Sequence, residues 1–139
     1  MKDVFCRIID GEIPSTKVYE DDDVLAILDI SQTTKGHTLV LPKKHYENFL
    51  SCPLEVIDKC MAVAKRIGEA AMSVLGAKGV NILTNCGEAA GQTVMHLHFH
   101  VIPRYEEENG CFQIIMKEQD TSKMDLPLLA SKIKDELTK

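Results

Sequence analysis

This 139-residue chain is predicted to be an α+β domain, with a mainly antiparallel five-stranded sheet, one long central helix and a C-terminal helix. Three observations lead there. Short apolar stretches bounded by glycine, proline and aspartate recur without the regular strand–helix alternation of a parallel sheet. One long segment, residues 54–75, repeats apolar side chains at the three-and-four spacing of a helix. A late stretch, His96-Leu97-His98-Phe99-His100-Val101-Ile102, alternates strictly, as a strand does.

The elements follow in order. Residues 4–9 form a short helical turn that stops at Asp10-Gly11, and Glu12-Ile13-Pro14-Ser15 is a loop. Strands are expected at 17–19 and 24–28, joined by the solvated turn Asp21-Asp22-Asp23. Gly36 introduces a third strand, 37–41, which Pro42 ends. In the long helix Leu54, Ile57, Met61, Ala64, Ile67, Ala71 and Leu75 define the buried stripe. Ser51 or Cys52 caps it, Pro53 sits in its first turn, and Gly76 closes it. A fourth strand covers 80–84, the loop 85–92 carries two glycines, and the histidine strand spans 94–102. Glu106 to Glu108 make an exposed acidic loop. Leu126, Leu129, Ile133 and Leu137 mark an amphipathic C-terminal helix capped by Asp125. No repeat or linker interrupts the chain, so residues 1–139 read as a single domain.

Composition narrows the function. A formal net charge of −5 argues against a nucleic-acid-binding surface. Five cysteines (Cys6, Cys52, Cys60, Cys86, Cys111) are odd in number and lack a pairing pattern, so no disulfide framework is expected. There is no signal-peptide core and no apolar run long enough for a membrane span. The expectation is a reduced, cytoplasmic protein that engages neither membrane nor nucleic acid.

The chemistry concentrates in two adjoining segments. Three of the five histidines alternate with Leu97, Phe99 and Val101, which sends the imidazoles to one face and the apolar residues to the core. Same-face neighbours on a strand lie about 7 Å apart, so one ligand can touch adjacent rings. Just upstream, Gly87-Glu88-Ala89-Ala90-Gly91-Gln92-Thr93-Val94 offers small residues, an amide and a hydroxyl, with backbone N–H groups able to seat phosphate oxygens. A neutral imidazole can attack phosphorus while a second stabilises the phosphoryl charge, and His98 and His100 fit those roles. Metal binding competes, because His-x-His on a strand offers two zinc ligands that Cys6 and His45 can supplement.

The alternating segment resembles the His-φ-His-φ-His-φ-φ signature of the histidine triad (HIT) family. Cys6-Arg7-Ile8-Ile9-Asp10-Gly11-Glu12-Ile13-Pro14-Ser15 is similar to the family's opening segment. Leu28-Asp29-Ile30-Ser31 and Lys35-Gly36-His37-Thr38-Leu39-Val40-Leu41-Pro42-Lys43-Lys44-His45 look like its central block. Asn85 and Gly91-Gln92-Thr93-Val94 resemble its pre-triad loop. The resemblance implies a homodimer whose sheet joins its twin. It also implies a purine nucleotide substrate, from which a nucleoside monophosphate is hydrolysed or transferred. The implied substrates are phosphoramidates or dinucleoside polyphosphates, and the implied intermediate is a nucleotidyl-histidine.

By the same resemblance His98 is the nucleophile, His100 contacts the phosphate oxygens, and His96 completes the triad with His37 in support. Asn85, Gly91, Gln92, Thr93 and Val94 would line the phosphate site, and Asp29 would hold the ribose hydroxyls. Phe5, Ile8, Ile27, Leu28 and Ile30 would form the base and ribose pocket. No cofactor is required for this chemistry. Some bacterial members bind structural zinc through two N-terminal cysteines, a later histidine and the first triad histidine. Cys6, His45 and His96 match three of those positions, whereas Asp3 stands where the first cysteine would be. The chain lacks tryptophan, so the tryptophan-bearing C-terminus of one branch is absent. Two other readings stay open: a nucleotide-binding regulatory protein with little turnover, and a metal-dependent hydrolase using His98 and His100 as ligands.

Overall fold

A computed structural model describes residues 2–107 and 112–139; Glu108 of the acidic loop and Cys111 fall outside the described residues. The helices are α1 (Val4–Ile9), α2 (Leu54–Val74) and α3 (Leu126–Leu137). The strands are β1 (Lys17–Glu20), β2 (Val24–Leu28), β3 (Thr38–Pro42), β4 (Gly79–Leu83) and β5 (Phe99–Arg104). They form a five-stranded sheet in the order β1-β2-β3-β5-β4, and each neighbouring pair is antiparallel. The fold is α+β. No helix among the described residues is long and apolar enough to cross a membrane.

Period-two alternation gives the sheet two different faces. Val24, Ala26, Val40, Phe99 and Val101 point to one side and pack with Ile57, Cys60, Val63 and Ala64 of α2. Leu25, Ile27, Leu39 and Leu41 point to the other, where Phe5 and Ile8 of α1 cover them. Register then places the site: Ile27 pairs with Leu39, and Leu39 with His100, so β5 delivers an imidazole beside an apolar row. Phe99, 2% exposed, anchors the opposite side, and its truncation to alanine would cost about 3–5 kcal/mol.

Several expected boundaries move. The histidine segment is strand only from Phe99, because residues 95–97 bond to the 42–46 segment instead of the ladder. The Leu97 N–H donates to the Tyr46 carbonyl, His45 Nε2 donates to the Met95 carbonyl and His96 Nε2 to the Pro42 carbonyl. His100 alone of the three histidines therefore lies in β5. The alternation survives the change of partner, and Leu97, Phe99 and Val101 remain buried. His37 precedes β3, which Thr38 opens and Pro42 completes.

In α2 the buried arc is Ile57, Cys60, Val63, Ala64, Gly68 and Ala71, while Leu54 and Met61 face outward. Small residues let this helix approach the sheet; a Cβ at Gly68 would sit 3.6 Å from Val80. Neither Ser51 nor Cys52 caps α2, whose N-cap is Pro53 without a side-chain bond. The Ser51 hydroxyl is engaged with Asn48 in a reciprocal capping box of the preceding turn, Phe49–Ser51. Asp125 does cap α3, accepting from the Leu128 N–H at 3.0 Å.

Candidate active site

A cavity of about 420 Å³ opens on the α1 side of the sheet. Phe5, Ile8, Ile27 and Leu28 form its apolar wall, with Asp29 at one side and Ile30, 98% exposed, at the rim. Asn85, Gly91, Thr93, Val94, His98 and His100 form the opposite, polar wall. Leu39 and the loop residues Ile13, Pro14 and Ser15 also line it. The sequence reading had not placed these four at the cavity. Leu39 was legible from the alternation of β3; the 13–15 loop carried no local signal.

Hydrogen-bond partners assign the imidazole tautomers. The Nδ1 of His98 lies 2.7 Å from the His96 carbonyl, which only accepts, so Nδ1 carries the proton and Nε2 keeps its lone pair. The Thr33 N–H donates to Nδ1 of His37 at 3.3 Å, leaving the proton on Nε2 of His37. That Nε2–H donates to Nδ1 of His100 at 2.9 Å, so His100 presents Nε2–H as its remaining donor. Burial holds His98 and His37 below the ordinary imidazole pKa. Burial, with His98 and His37 alongside, lowers His100 to about 4. All three are neutral at pH 7. One ring thus offers an electron pair and its neighbour, 5.1 Å away between centroids, offers a proton donor.

Residues behind the wall hold this pair in place. The Thr84 hydroxyl donates to the His98 carbonyl at 2.8 Å. The Phe5 ring packs edge-on to His98 at 4.8 Å. Asp29 stands 3.7 Å from Nε2 of His37, and its Oδ1 accepts from the Ser31 N–H at 2.8 Å. Gln32 ties that loop together, its Nε2 donating to the Asp29 and His37 carbonyls and its Oε1 accepting from the Gly36 N–H. A polar residue in an exposed loop gave no sequence signal for that role.

Gln92 differs from its expected place on the phosphate wall. It is 3% exposed, accepts from the Gly87 N–H and donates to the Glu47 and Val94 carbonyls, so its amide is fully engaged behind the wall. The glycine loop likewise spends its own donors. The N–H groups of Ala90, Gly91 and Gln92 bond to carbonyls inside the loop, which Gly87 and Gly91 turn at positive φ. The side-chain donors on the polar wall are Asn85, Thr93 and His100.

His96 belongs to a second cluster. Its Nε2–H donates to the Pro42 carbonyl at 3.0 Å, so its Nδ1 lone pair faces Asp3 Oδ2 at 3.2 Å and Cys6 Sγ at 3.6 Å. Electron-rich atoms facing each other at that distance repel unless a proton or a cation lies among them. The Cys6 thiol, which burial and Asp3 keep protonated, supplies that proton, and Asp3, Cys6 and His96 lie close enough to hold a metal ion in its place. His45 does not join as a ligand in this arrangement. Its Nε2 lies 2.7 Å from the Met95 carbonyl and must carry the proton, which it can also share with Asp3 Oδ2 at 3.2 Å. Asp29, His37 and His100 also converge, but there a proton already joins the two imidazoles.

Residues 10–107 match the model of the HIT domain. An uncharacterised HIT-like protein of Methanocaldococcus jannaschii is 45% identical over 131 residues, which is 94% of this chain and 98% of that one. An adenylylsulfatase of Arabidopsis thaliana is 42% identical over 105 residues, 76% of this chain and 53% of that protein. Among solved structures, a HIT family protein from Bacillus anthracis superposes with a TM-score of 0.87 at 44% identity, covering 96% of this chain and 95% of that one. A zinc-bound histidine triad protein from Mycobacterium smegmatis gives a TM-score of 0.72 at 39% identity, covering 98% and 96% of the two chains.

Proposed function

The chain belongs to the HIT family, and from that premise we propose that it is a nucleotide hydrolase or transferase that works through a covalent nucleotidyl-histidine. The observation that carries this reading is the tautomer pair: an Nε2 lone pair on His98 beside an Nε2–H on His100. The purine lies against Phe5, Ile8 and Ile27, and the ribose hydroxyls donate to Asp29. The α-phosphoryl group meets Asn85, Thr93 and His100. His98 Nε2 attacks phosphorus, forming a P–N bond as the bond to the leaving group breaks. His100 stabilises the charge gathering on the phosphoryl oxygens. Water or another acceptor then takes the nucleotide from His98, which regenerates the free imidazole. This route uses side chains alone. Phosphoramidates and dinucleoside polyphosphates both suit it, and the adenylylsulfatase name of one relative supports nucleotidyl compounds as a class.

A structural zinc held by Asp3, Cys6 and His96, with His45 hydrogen-bonded to Asp3, completes the proposal. When bound it would tie α1 to the His96 segment that leads into β5, and the zinc-bound relative supports the choice of metal. A homodimer is expected across β4, an unpaired sheet edge beside exposed Leu54, Met61 and Met72 of α2. Free thiols at Cys6, Cys52, Cys60 and Cys86 suit the reducing cytoplasm.

The test is turnover of adenosine phosphoramidate and a dinucleoside polyphosphate, quenched rapidly under alkaline conditions and read by peptide mass spectrometry. A nucleoside monophosphate on the His98 peptide is expected. Turnover with no adduct on any histidine would sink the covalent route. Nucleotide binding without turnover of either compound would favour the regulatory reading instead.

A further inference from the structure

The loop between β2 and β3, residues 29–37, carries Asp29 at one end and His37 at the other, and a single side chain clasps the two ends together. Gln32 Nε2 donates to the Asp29 carbonyl at 2.5 Å and to the His37 carbonyl at 2.8 Å, while its Oε1 accepts from the Gly36 N–H at 2.8 Å. The Asp29 N–H adds to the clasp by donating to the His37 carbonyl at 3.0 Å. The far side of the loop is tied to β5 and the residue after it. There the Thr34 hydroxyl donates to the Pro103 carbonyl at 2.6 Å, and the Tyr105 hydroxyl donates to the Lys35 carbonyl. The peptide groups on either side of Gln32 thereby have fixed directions toward the His37 ring. The Thr33 N–H donates to Nδ1 of His37 at 3.3 Å. Burial lowers the His37 pKa, and Asp29 and the Ser31 carbonyl, which face the same ring, oppose that shift.

Those directions select a tautomer that the two imidazoles do not select for themselves. Neutral rings 2.9 Å apart can be joined by one hydrogen bond running either way. In the observed arrangement His37 donates from Nε2, and His100 keeps its own Nε2–H for the cavity. In the reverse arrangement His37 carries its proton on Nδ1 and His100 donates from Nδ1. The Nε2 of His100 would then turn a lone pair toward the phosphoryl oxygens that it has to stabilise. The Thr33 N–H opposes the reversal, because it would meet another N–H head-on. Asp29, 3.7 Å from Nε2 of His37, also favours a proton on that nitrogen. A loop turned so that the Ser31 carbonyl met Nδ1 would favour the reversal. We propose that Gln32 is a positioning residue whose amide holds the Thr33 N–H and Asp29 against His37, and so sets the tautomer in which His100 presents a donor to the phosphoryl group. The inference rests on the nucleotidyl-transfer reading above and adds to it the residue that selects the active form of His100. Gln32 does not line the cavity, so its influence on the reaction passes through the loop it clasps.

The test combines nitrogen NMR of the full chain, isotope-labelled in its histidine rings and free of ligand, with turnover of adenosine phosphoramidate. Gln32→Met keeps the length of the side chain and loses every hydrogen bond. Gln32→Glu keeps the acceptor for the Gly36 N–H and loses both donors, and it carries the same measurements should the methionine variant fail to fold. His100→Asn, alone and combined with Gln32→Met, supplies an amide that donates without a choice of tautomer. The wild type should show His100 protonated at Nε2 alone, and both Gln32 variants should move part of the population to Nδ1–H. Their kcat should fall about tenfold while the Michaelis constant changes by about twofold or less. In the His100→Asn background, Gln32→Met should alter kcat by less than about twofold, as expected of two residues that act through one another. A wild-type His100 tautomer retained in both Gln32 variants would overturn the inference even if activity fell. An equal loss of kcat in the two backgrounds would overturn it as well. Should the wild type turn over neither adenosine phosphoramidate nor a dinucleoside polyphosphate, the nucleotidyl reading falls, and the imidazole spectra by themselves decide the role of Gln32.

Discussion

At one end of the histidine segment His96 sits with Asp3 and His45; at the other, His100 sits with His37 and Asp29. Both clusters combine two imidazoles with one carboxylate, yet their lone pairs are arranged differently. Around His100 the chain Thr33–His37–His100 hands one proton from ring to ring, and every internal lone pair has a donor. Around His96 the Pro42 carbonyl accepts from Nε2–H, so Nδ1 turns its lone pair toward the Asp3 carboxylate and the Cys6 thiol, and one thiol proton serves both acceptors. Residue type therefore does not decide how the lone pairs are arranged here. The nearest backbone group sets the arrangement, the Pro42 carbonyl at His96 and the Thr33 N–H at His37, by fixing which ring nitrogen carries hydrogen.

His98, between the clusters, should show the largest effect. His98→Ala is expected to lower turnover by about 10⁴-fold or more while nucleotide affinity, read by calorimetry, changes little. The same ring sets the pH dependence of the wild type. Its pKa is depressed by burial, so the reactive neutral form persists above pH 6.5 and turnover declines only on the acid side. Stability follows the same sign. An imidazole harder to protonate when folded than when unfolded contributes full stability above pH 6.5, and this is lost as pH falls toward the value of about 4 held by His100. Chemical denaturation from pH 7.5 to 4 reads that loss.

The next effect separates the two ends. His37→Phe removes the donor to His100 and should lower kcat about 100-fold with the Michaelis constant nearly unchanged. His45→Phe should leave kcat within a few-fold at low temperature. Equal losses of kcat would erase the distinction between the clusters.

The smallest catalytic effect, and the one most specific to the His96 end, is metal removal. Protein purified without added metal should carry about one zinc per chain, and chelation should lower Tm by several degrees without stopping turnover in the cold. Zinc near zero in folded, active protein would leave a shared proton, not a metal, among Asp3, Cys6 and His96.

Much of this was readable along the chain because the signals are local. Alternation assigned Leu97, Phe99 and Val101 to the core although the ladder begins only at Phe99. Spacing placed α2 within a residue at its C-terminal end, and Asp125 marked the start of α3. The buried arc of α2 was harder to read, because Leu54 and Met61 share the helical period with Ile57 and Ala64. Only the sheet's demand for small residues selects which flank turns inward. Gln92, expected on the phosphate wall, turns its amide behind that wall for a similar reason. A glutamine in a glycine loop offers the same donors to a phosphate or to its own backbone, and the nearby Glu47 and Val94 carbonyls settled the matter.

By itself the sequence determined the α+β class, the element order, the alternating histidine segment and its likeness to the HIT family, since each is written in spacing between near neighbours. Tertiary structure alone decided the partners: His37 beside His100 across 63 positions, Asp3 beside His96 across 93, and the Pro42 and His96 carbonyls that set the tautomers. An imidazole carries no record of which nitrogen will hold its proton. That depends on acceptors brought in from distant parts of the chain, and on burial deep enough to keep water from replacing them.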